Sequence, residues 1–186
     1  MNEAGPVTAA PPRRRDWAAY SAIVATLVGL LALGVSAYTA LLQRQQVRAQ
    51  VWPRLLLMSS ETQQEMLVIN KGVGPAVIRS LRVSVGGVAQ RDWAMLAKTL
   101  GLKPDDYVQS TVNNVVISGG ERYVMAQFPQ PEVWARVGTA VKRIERRLCY
   151  CSTLEECWVV DTAPGREDGY REVDRCERVE AEEFND

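Results

Sequence analysis

Between Ala18 and Leu42 the chain carries 25 consecutive residues without a charge, AAYSAIVATLVGLLALGVSAYTALL. At about 1.5 Å per residue a helix of this length spans roughly 38 Å, more than the ~30 Å hydrocarbon core of a bilayer. A core helix of a soluble domain keeps a polar stripe, and this run has none. The pattern predicts a transmembrane helix over 17–42. A cleaved signal peptide competes with it, since Val35-Ser36-Ala37 offers small residues at a cleavage position. The apolar stretch continues past that point to Leu42 and exceeds an h-region of about 7–15 residues, which favours an uncleaved signal anchor. Upstream, residues 1–16 are small, polar and Pro-rich, the composition of a disordered arm. Downstream, Gln43 to Gln50 are polar helix formers, so a helical stalk is expected over 43–52, ended by Trp52-Pro53, because the residue before proline is pushed out of the helical region.

After Pro53 the period changes from uniform to alternating. Short apolar runs at Arg54–Met58, Glu65–Asn70 and Val77–Val85 read as strands; in the last, Leu81, Val83 and Val85 alternate with Arg82 and Ser84. Leu67 and Ile69 are expected on one face of the second run. Asn70-Lys71-Gly72-Val73-Gly74-Pro75 and Gly86-Gly87 supply turns. Trp93, Leu96, Ala97 and Leu100 then recur at helical spacing between a capping Asp92 and a terminating Gly101. Strands are expected again over Ser110–Ile117 and Arg122–Phe128, the latter with Val124, Ala126 and Phe128 on one face. A second short helix is expected from Pro131, with Val133, Val137 and Val141 on one side. Ile144–Cys151 and Cys157–Asp161 read as a hairpin closed by Ser152–Glu156. A sandwich domain over 53–162 and an acidic C-terminal tail over 163–186 complete the layout. From Arg166 onward four Arg face nine Asp and Glu, the composition of a solvated, partly disordered end.

Composition sharpens this picture mainly by exclusion. The chain has no histidine and a formal net charge of zero. The first removes Ser-His-Asp and Cys-His nucleophilic sites, His-ligated zinc and the usual neutral-pH general base. The second gives no global field for nucleic acid. Asp105-Asp106 follows Lys103-Pro104 in a turn, and Trp93, Trp134 and Trp158 lie in apolar patterns that mark core positions. No phosphate-binding loop or dinucleotide fingerprint is present. These observations imply a non-catalytic chain with no cofactor.

Charge also bears on orientation. Arg13, Arg14 and Arg15 sit immediately before the apolar run, with Trp17 and Tyr20 at headgroup level, whereas Arg44, Arg48 and Arg54 are spread out behind it. The denser cluster favours a cytoplasmic N-terminus, which puts the domain in the periplasm or otherwise outside a bacterial inner membrane. Small residues at four-residue spacing (Ser21, Ala25, Gly29; Ala32, Ser36, Ala40) suit close helix approach, and so a homodimer through the span. Lys142, Arg143, Arg146 and Arg147 read as a solvated strand edge, with a patch for anionic lipid as the alternative.

All four cysteines, Cys149, Cys151, Cys157 and Cys176, lie in the last quarter of the chain. Outside the cytoplasm they read as two disulfides; inside it, as thiols or a metal site. On a strand Cys149 and Cys151 share a face, and a direct bond between them strains the bridge. Of the remaining pairings, Cys151 with Cys157 across the hairpin and Cys149 with Cys176 to the tail is the expected one. Closing such loops stabilises by about 2–4 kcal/mol each. A four-cysteine zinc or copper site is the alternative, although Cys-x-Cys followed by five residues and Cys departs from knuckle spacing. With it goes an alternative function, a thiol-redox or metal-binding membrane protein.

The stretch Leu67–Val85, LVINKGVGPAVIRSLRVSV, resembles a signature of Ig-like bacterial adhesion and cell-surface β-sandwiches, in which a strand ends in Asn-x-Gly and a Gly-Pro-Ala turn opens the next. Ser118-Gly119-Gly120-Glu121 before Tyr123-Val124-Met125 resembles the Gly-Glu turn of a late strand in such domains. The layout as a whole is similar to uncharacterised bacterial single-pass membrane proteins with one N-terminal anchor and a small Ig-like domain. The resemblance covers residues 54–128 and implies a fold rather than an activity. The inserted helices and the cysteine hairpin depart from a plain sandwich. The reading that emerges is a mainly β, Ig-like or related sandwich with two short helices behind one transmembrane helix. It would act as an interaction or scaffold module for a protein partner at the membrane.

Overall fold

A computed structural model describes residues 17–163 and 169–185. The chain divides into two units, the first reaching to Gln46 and the second beginning at Val47. The expected arm, with Arg13, Arg14 and Arg15, lies outside the described residues.

The first unit is the body of helix α1 (Trp17–Gln50), which is long and apolar enough to cross a membrane by length and composition. None of its residues is buried in the protein. Three of its hydroxyls bond within the helix: Ser21 donates to the Ala18 carbonyl, Thr26 to Ala22 and Thr39 to Val35, at 2.8–2.9 Å. Side chains bonded in this way turn their hydroxyl hydrogen to the helix's own backbone.

In the second unit the strands are β1 (Leu55–Ser60), β2 (Glu65–Asn70), β3 (Ala76–Val85), β4 (Val88–Gln90), β5 (Val108–Gln109), β6 (Val116–Ile117), β7 (Arg122–Gln127), β8 (Ile144–Cys151), β9 (Cys157–Asp161) and β10 (Tyr170–Val173). The helices are α2 (Trp93–Thr99) and α3 (Pro131–Val141), with a 3₁₀ turn at Pro104–Asp106. Two antiparallel sheets form. One has the order β1-β2-β7-β5; the other has the order β10-β9-β8-β3-β4, with β6 paired to the start of β3. Between them lies a core built from Leu55, Met66, Val68, Ile78, Leu81, Leu148, Tyr150 and Trp158, together with Trp93 and Trp134 from the helices. This is a mainly β sandwich with two short helices.

Local sequence explains most boundaries. The Asp92 carboxylate accepts from Met95 N at 2.6 Å and caps α2, and Pro131 stands in the first turn of α3. Asp106 closes its turn by accepting from Lys103 N at 2.9 Å. The hairpin between β8 and β9 is held by Ser152, whose Oγ accepts from Leu154 N and Glu156 N, while Glu155 takes the left-handed conformation at φ 61°.

Three local features differ from the sequence reading. Ser110–Ile117 is not one strand: Asn114 at φ 60° breaks it, leaving two-residue strands on either side and Val112 buried between them. Arg146 is not at a solvated edge. Alternation on β8 puts it on the inward face with Ile144 and Leu148, where it donates to the Met58 carbonyl at 3.1 Å and has no carboxylate partner among the described residues. Burial lowers its pKa to about 10. The largest difference is at the C-terminus. Residues 170–173 form β10 at the edge of the sheet, Glu183 pairs with Arg82, and Phe184 is fully buried, 5.0 Å edge-on to Trp93. An acidic composition concealed one strand and one anchoring aromatic.

Candidate functional site

Asn70 explains the Asn-x-Gly-x-Gly-Pro stretch. Its side chain is wholly buried and makes four hydrogen bonds: Oδ1 accepts from Arg54 N (3.1 Å) and Gly72 N (2.9 Å), and Nδ2 donates to the carbonyls of Gly74 (2.8 Å) and Ile117 (3.0 Å). Its backbone joins the turn at 118–121 through Glu121 and Gly120. One residue thus knots three segments: the linker at 51–54, its own loop, and the turn before β7. The packing is close enough that a Cβ on Gly72 would collide with the backbone of Trp52 and Arg54, and one on Gly74 with Val51. Glycine is required there by space rather than by dihedral angle. Beside the knot, Arg48 pairs with Glu156 at 3.0 Å, and the Arg54 guanidinium lies 4.5 Å from the Tyr170 ring centroid. Tyr150 reaches the same linker, its hydroxyl accepting from Leu55 N at 3.1 Å. Burial raises the pKa of both Tyr150 and Tyr170. The motif that carries the resemblance is therefore architectural.

The richer chemistry lies on the outward face of the six-stranded sheet. There β3 presents Ser80, Arg82 and Ser84, and β8 presents Glu145, Arg147, Cys149 and Cys151 in the paired register. After β10 the chain turns back across this face as a strap, residues 174–185. Arg82 is its main fastener: Nη1 donates to Glu182 at 3.0 Å, Nη2 to the Glu177 carbonyl at 2.8 Å, and Nε lies 3.7 Å from Glu183. Ser80 donates to buried Glu183 at 2.6 Å. Further along, Phe184 N bonds the Leu81 carbonyl at 2.8 Å, and Asn113 donates to the Phe184 carbonyl at 2.7 Å.

The cysteines staple the strap. Cys149 is bonded to Cys176, with Cα atoms 5.7 Å apart, and Cys151 to Cys157, which stand directly opposite each other on β8 and β9, with Cα atoms 4.0 Å apart. The two bonds touch: Cys151 Sγ lies 3.8 Å from Cys176 Sγ, and the sulfurs of Cys151, Cys157 and Cys176 are all within 4.8 Å of one another. As disulfides they offer no thiolate ligand; reduced, they would be a soft sulfur donor set suited to Cu(I) or zinc.

Two of the cavities that border the strap hold its charged and sulfur groups. The larger, about 700 Å³, is lined by Arg82, Arg147 and Arg171 against Glu172, Asp174 and Glu177. The smaller, about 420 Å³, exposes Cys151, Cys157 and Cys176 to Arg79, Arg175 and Arg178, with Glu155 and Asp174 opposite. Sequence reasoning singled out the four cysteines but not Arg82, Glu183, Arg171 or Arg175, which only the strap's return across the sheet brings together. Of the other expected positions, Trp17 begins α1 and is exposed, Trp93, Trp134 and Trp158 are in the core, and Asp106 lies 3.6 Å from Arg136.

Comparison of the chain with protein-family models, with curated proteins and with solved structures finds no match.

Proposed function

We propose that this protein is a non-catalytic interaction module held at a bacterial inner membrane by α1. Its sandwich lies on the extracytoplasmic side, and its binding surface is the groove beneath the strap. The observation that carries this reading is the groove itself, about 700 Å³, lined by guanidinium and carboxylate groups of both signs on a face held by a disulfide. Mixed charges in an open groove suit a polar segment of a partner protein, whose own charges pair with both, better than a lipid or nucleic acid, which needs one sign. A fixed strap supports such binding because little ordering entropy remains to be lost. Two disulfides in one small domain support an oxidising compartment, and with it a cytoplasmic N-terminus.

The test is photocrosslinking in intact cells from positions 171 and 175, with exposed Gln127 on the opposite sheet as control. Crosslinks to one protein from the groove positions only, abolished by Glu172→Arg in a chain that still inserts and folds, are expected. Equal crosslinking from Gln127, or indifference to charge reversal, removes the groove as the binding surface. Orientation is checked separately with a membrane-impermeant maleimide. Labelling after reduction through a permeabilised outer layer is expected; labelling only after the inner membrane is broken reverses the topology.

A further inference from the structure

The two disulfides are separate bonds but a single cluster of sulfur. We propose that this cluster is a thiol–disulfide exchange site for a small anionic thiol, in which the opening of one bond is passed to the other. The inference goes beyond the interaction reading and stands without it. Three observations carry it. Cys151 Sγ already contacts Cys176 Sγ at 3.8 Å, so a thiolate formed on Cys151 has the second disulfide as its neighbour. Cys151, Cys157 and Cys176 all line one cavity of about 420 Å³, within the range of small-molecule sites. The same cavity presents three guanidinium groups, Arg79, Arg175 and Arg178, against two carboxylates. That excess of positive charge attracts an anionic thiol and stabilises the thiolates that exchange must release.

The steps balance as follows. A thiolate RS⁻ attacks Cys157 Sγ; the Cys151–Cys157 bond breaks, its electron pair leaves on Cys151 Sγ, and RS–Cys157 forms. The Cys151 thiolate attacks Cys176 Sγ; Cys151–Cys176 forms, and the electron pair of the broken Cys149–Cys176 bond goes to Cys149. A second RS⁻ attacks the R-bearing sulfur of the mixed disulfide, giving RSSR and a Cys157 thiolate. Two external thiols are oxidised to one disulfide. The protein is reduced by two electrons, and the protons lost by the thiols end on Cys149 and Cys157. The reduced protein keeps one bridge, Cys151–Cys176, which neither original pairing contains. The strap's staple moves two residues along β8, about 7 Å, and a free Cys149 thiol is left in the larger groove, which it lines.

The experiment uses the full chain in lipid nanodiscs. In Cys157→Ser, the thiol of Cys151 is free from the start. The sample is acid-quenched, denatured, alkylated and mapped by mass spectrometry. Most of the label on Cys149, with a Cys151–Cys176 cross-linked peptide, is expected; most of the label on Cys151, with Cys149–Cys176 intact, overturns the proposal. The unsubstituted chain is titrated with reduced glutathione to two thiols per chain and mapped in the same way. Cys149 and Cys157 carrying the label supports the transfer. Label on Cys151 and Cys157, or on Cys149 and Cys176, refutes it, whether or not the variant folds. For the anionic preference, Arg175→Ala is expected to slow reduction by glutathione several-fold while leaving reduction by the cationic thiol cysteamine unchanged or faster; equal slowing of both removes the charge argument.

Discussion

Replacing Asn70 with alanine tests whether the knot holds the domain together. The substitution deletes four buried hydrogen bonds at once and leaves Arg54 N, Gly72 N and the carbonyls of Gly74 and Ile117 without that partner. At about 1 kcal/mol net for each neutral hydrogen bond, the loss is on the order of 4 kcal/mol. The side chain is wholly buried, so exposure brings no discount. For a domain of this size about 4 kcal/mol corresponds to a fall in Tm of roughly 12–16 °C. The assay is thermal and denaturant unfolding of the full chain in micelles, followed by tryptophan fluorescence, with amide exchange at Arg54 and Gly72 as the local readout. Asn70→Asp is the control of similar shape. It retains acceptors for the two N–H groups but turns a carboxylate oxygen toward two carbonyls, and is expected to cost at least as much. A loss below about 1 kcal/mol in Asn70→Ala, with exchange unchanged at both amides, refutes the assignment of the knot to this side chain.

Other consequences are as direct. Cys149→Ser with Cys176→Ser opens a 27-residue separation and Cys151→Ser with Cys157→Ser a 6-residue one, so the first double variant is expected to lose about 3–4 kcal/mol and the second about 2, read from denaturant midpoints. Phe184→Ala empties a fully buried site against Trp93 and is expected to cost about 3–5 kcal/mol, with faster proteolysis of the strap; an unchanged midpoint would mean the tail is dispensable. Burial raises the pKa of Tyr150 above its ordinary 10.0, so its contribution is present below pH 10 and is lost as pH rises through the folded-state value, because the unfolded chain gives up its proton first. Tyr150→Phe is expected to flatten the alkaline decline in stability while costing about 1–2 kcal/mol at neutral pH, through the unpaired Leu55 N; an unaltered alkaline slope contradicts the burial argument.

Elements whose identity rests on period or on turn chemistry were legible without coordinates. A stretch of 25 uncharged residues has few soluble alternatives, and α1 follows from it. Alternation marked β3, the hairpin reading placed β8 and β9, and Asp92 and Pro131 began their helices; the strain of a direct Cys149–Cys151 bond left two pairings, of which the one that closes the hairpin is the one the structure shows. These are local facts, set by neighbours in sequence. The tail was not legible, because what orders it lies far away along the chain: Ser80 and Arg82 bind Glu183, and Trp93 receives Phe184. Seen alone, the segment is acidic and unpatterned; only a partner face of opposite charge gives it a place. Arg146 shows the converse. Its charge suggested a solvated edge, yet its place on β8 turns it inward, where the Met58 carbonyl and the Ser59 hydroxyl of the opposing sheet receive its guanidinium. The sequence by itself therefore determined the membrane-length helix, the β-rich domain and the disulfide chemistry, because each depends on composition and spacing. The two cavities, the contact between the disulfides and the strap that creates both were decided by tertiary structure alone, since they exist only where segments about a hundred residues apart meet on one sheet face.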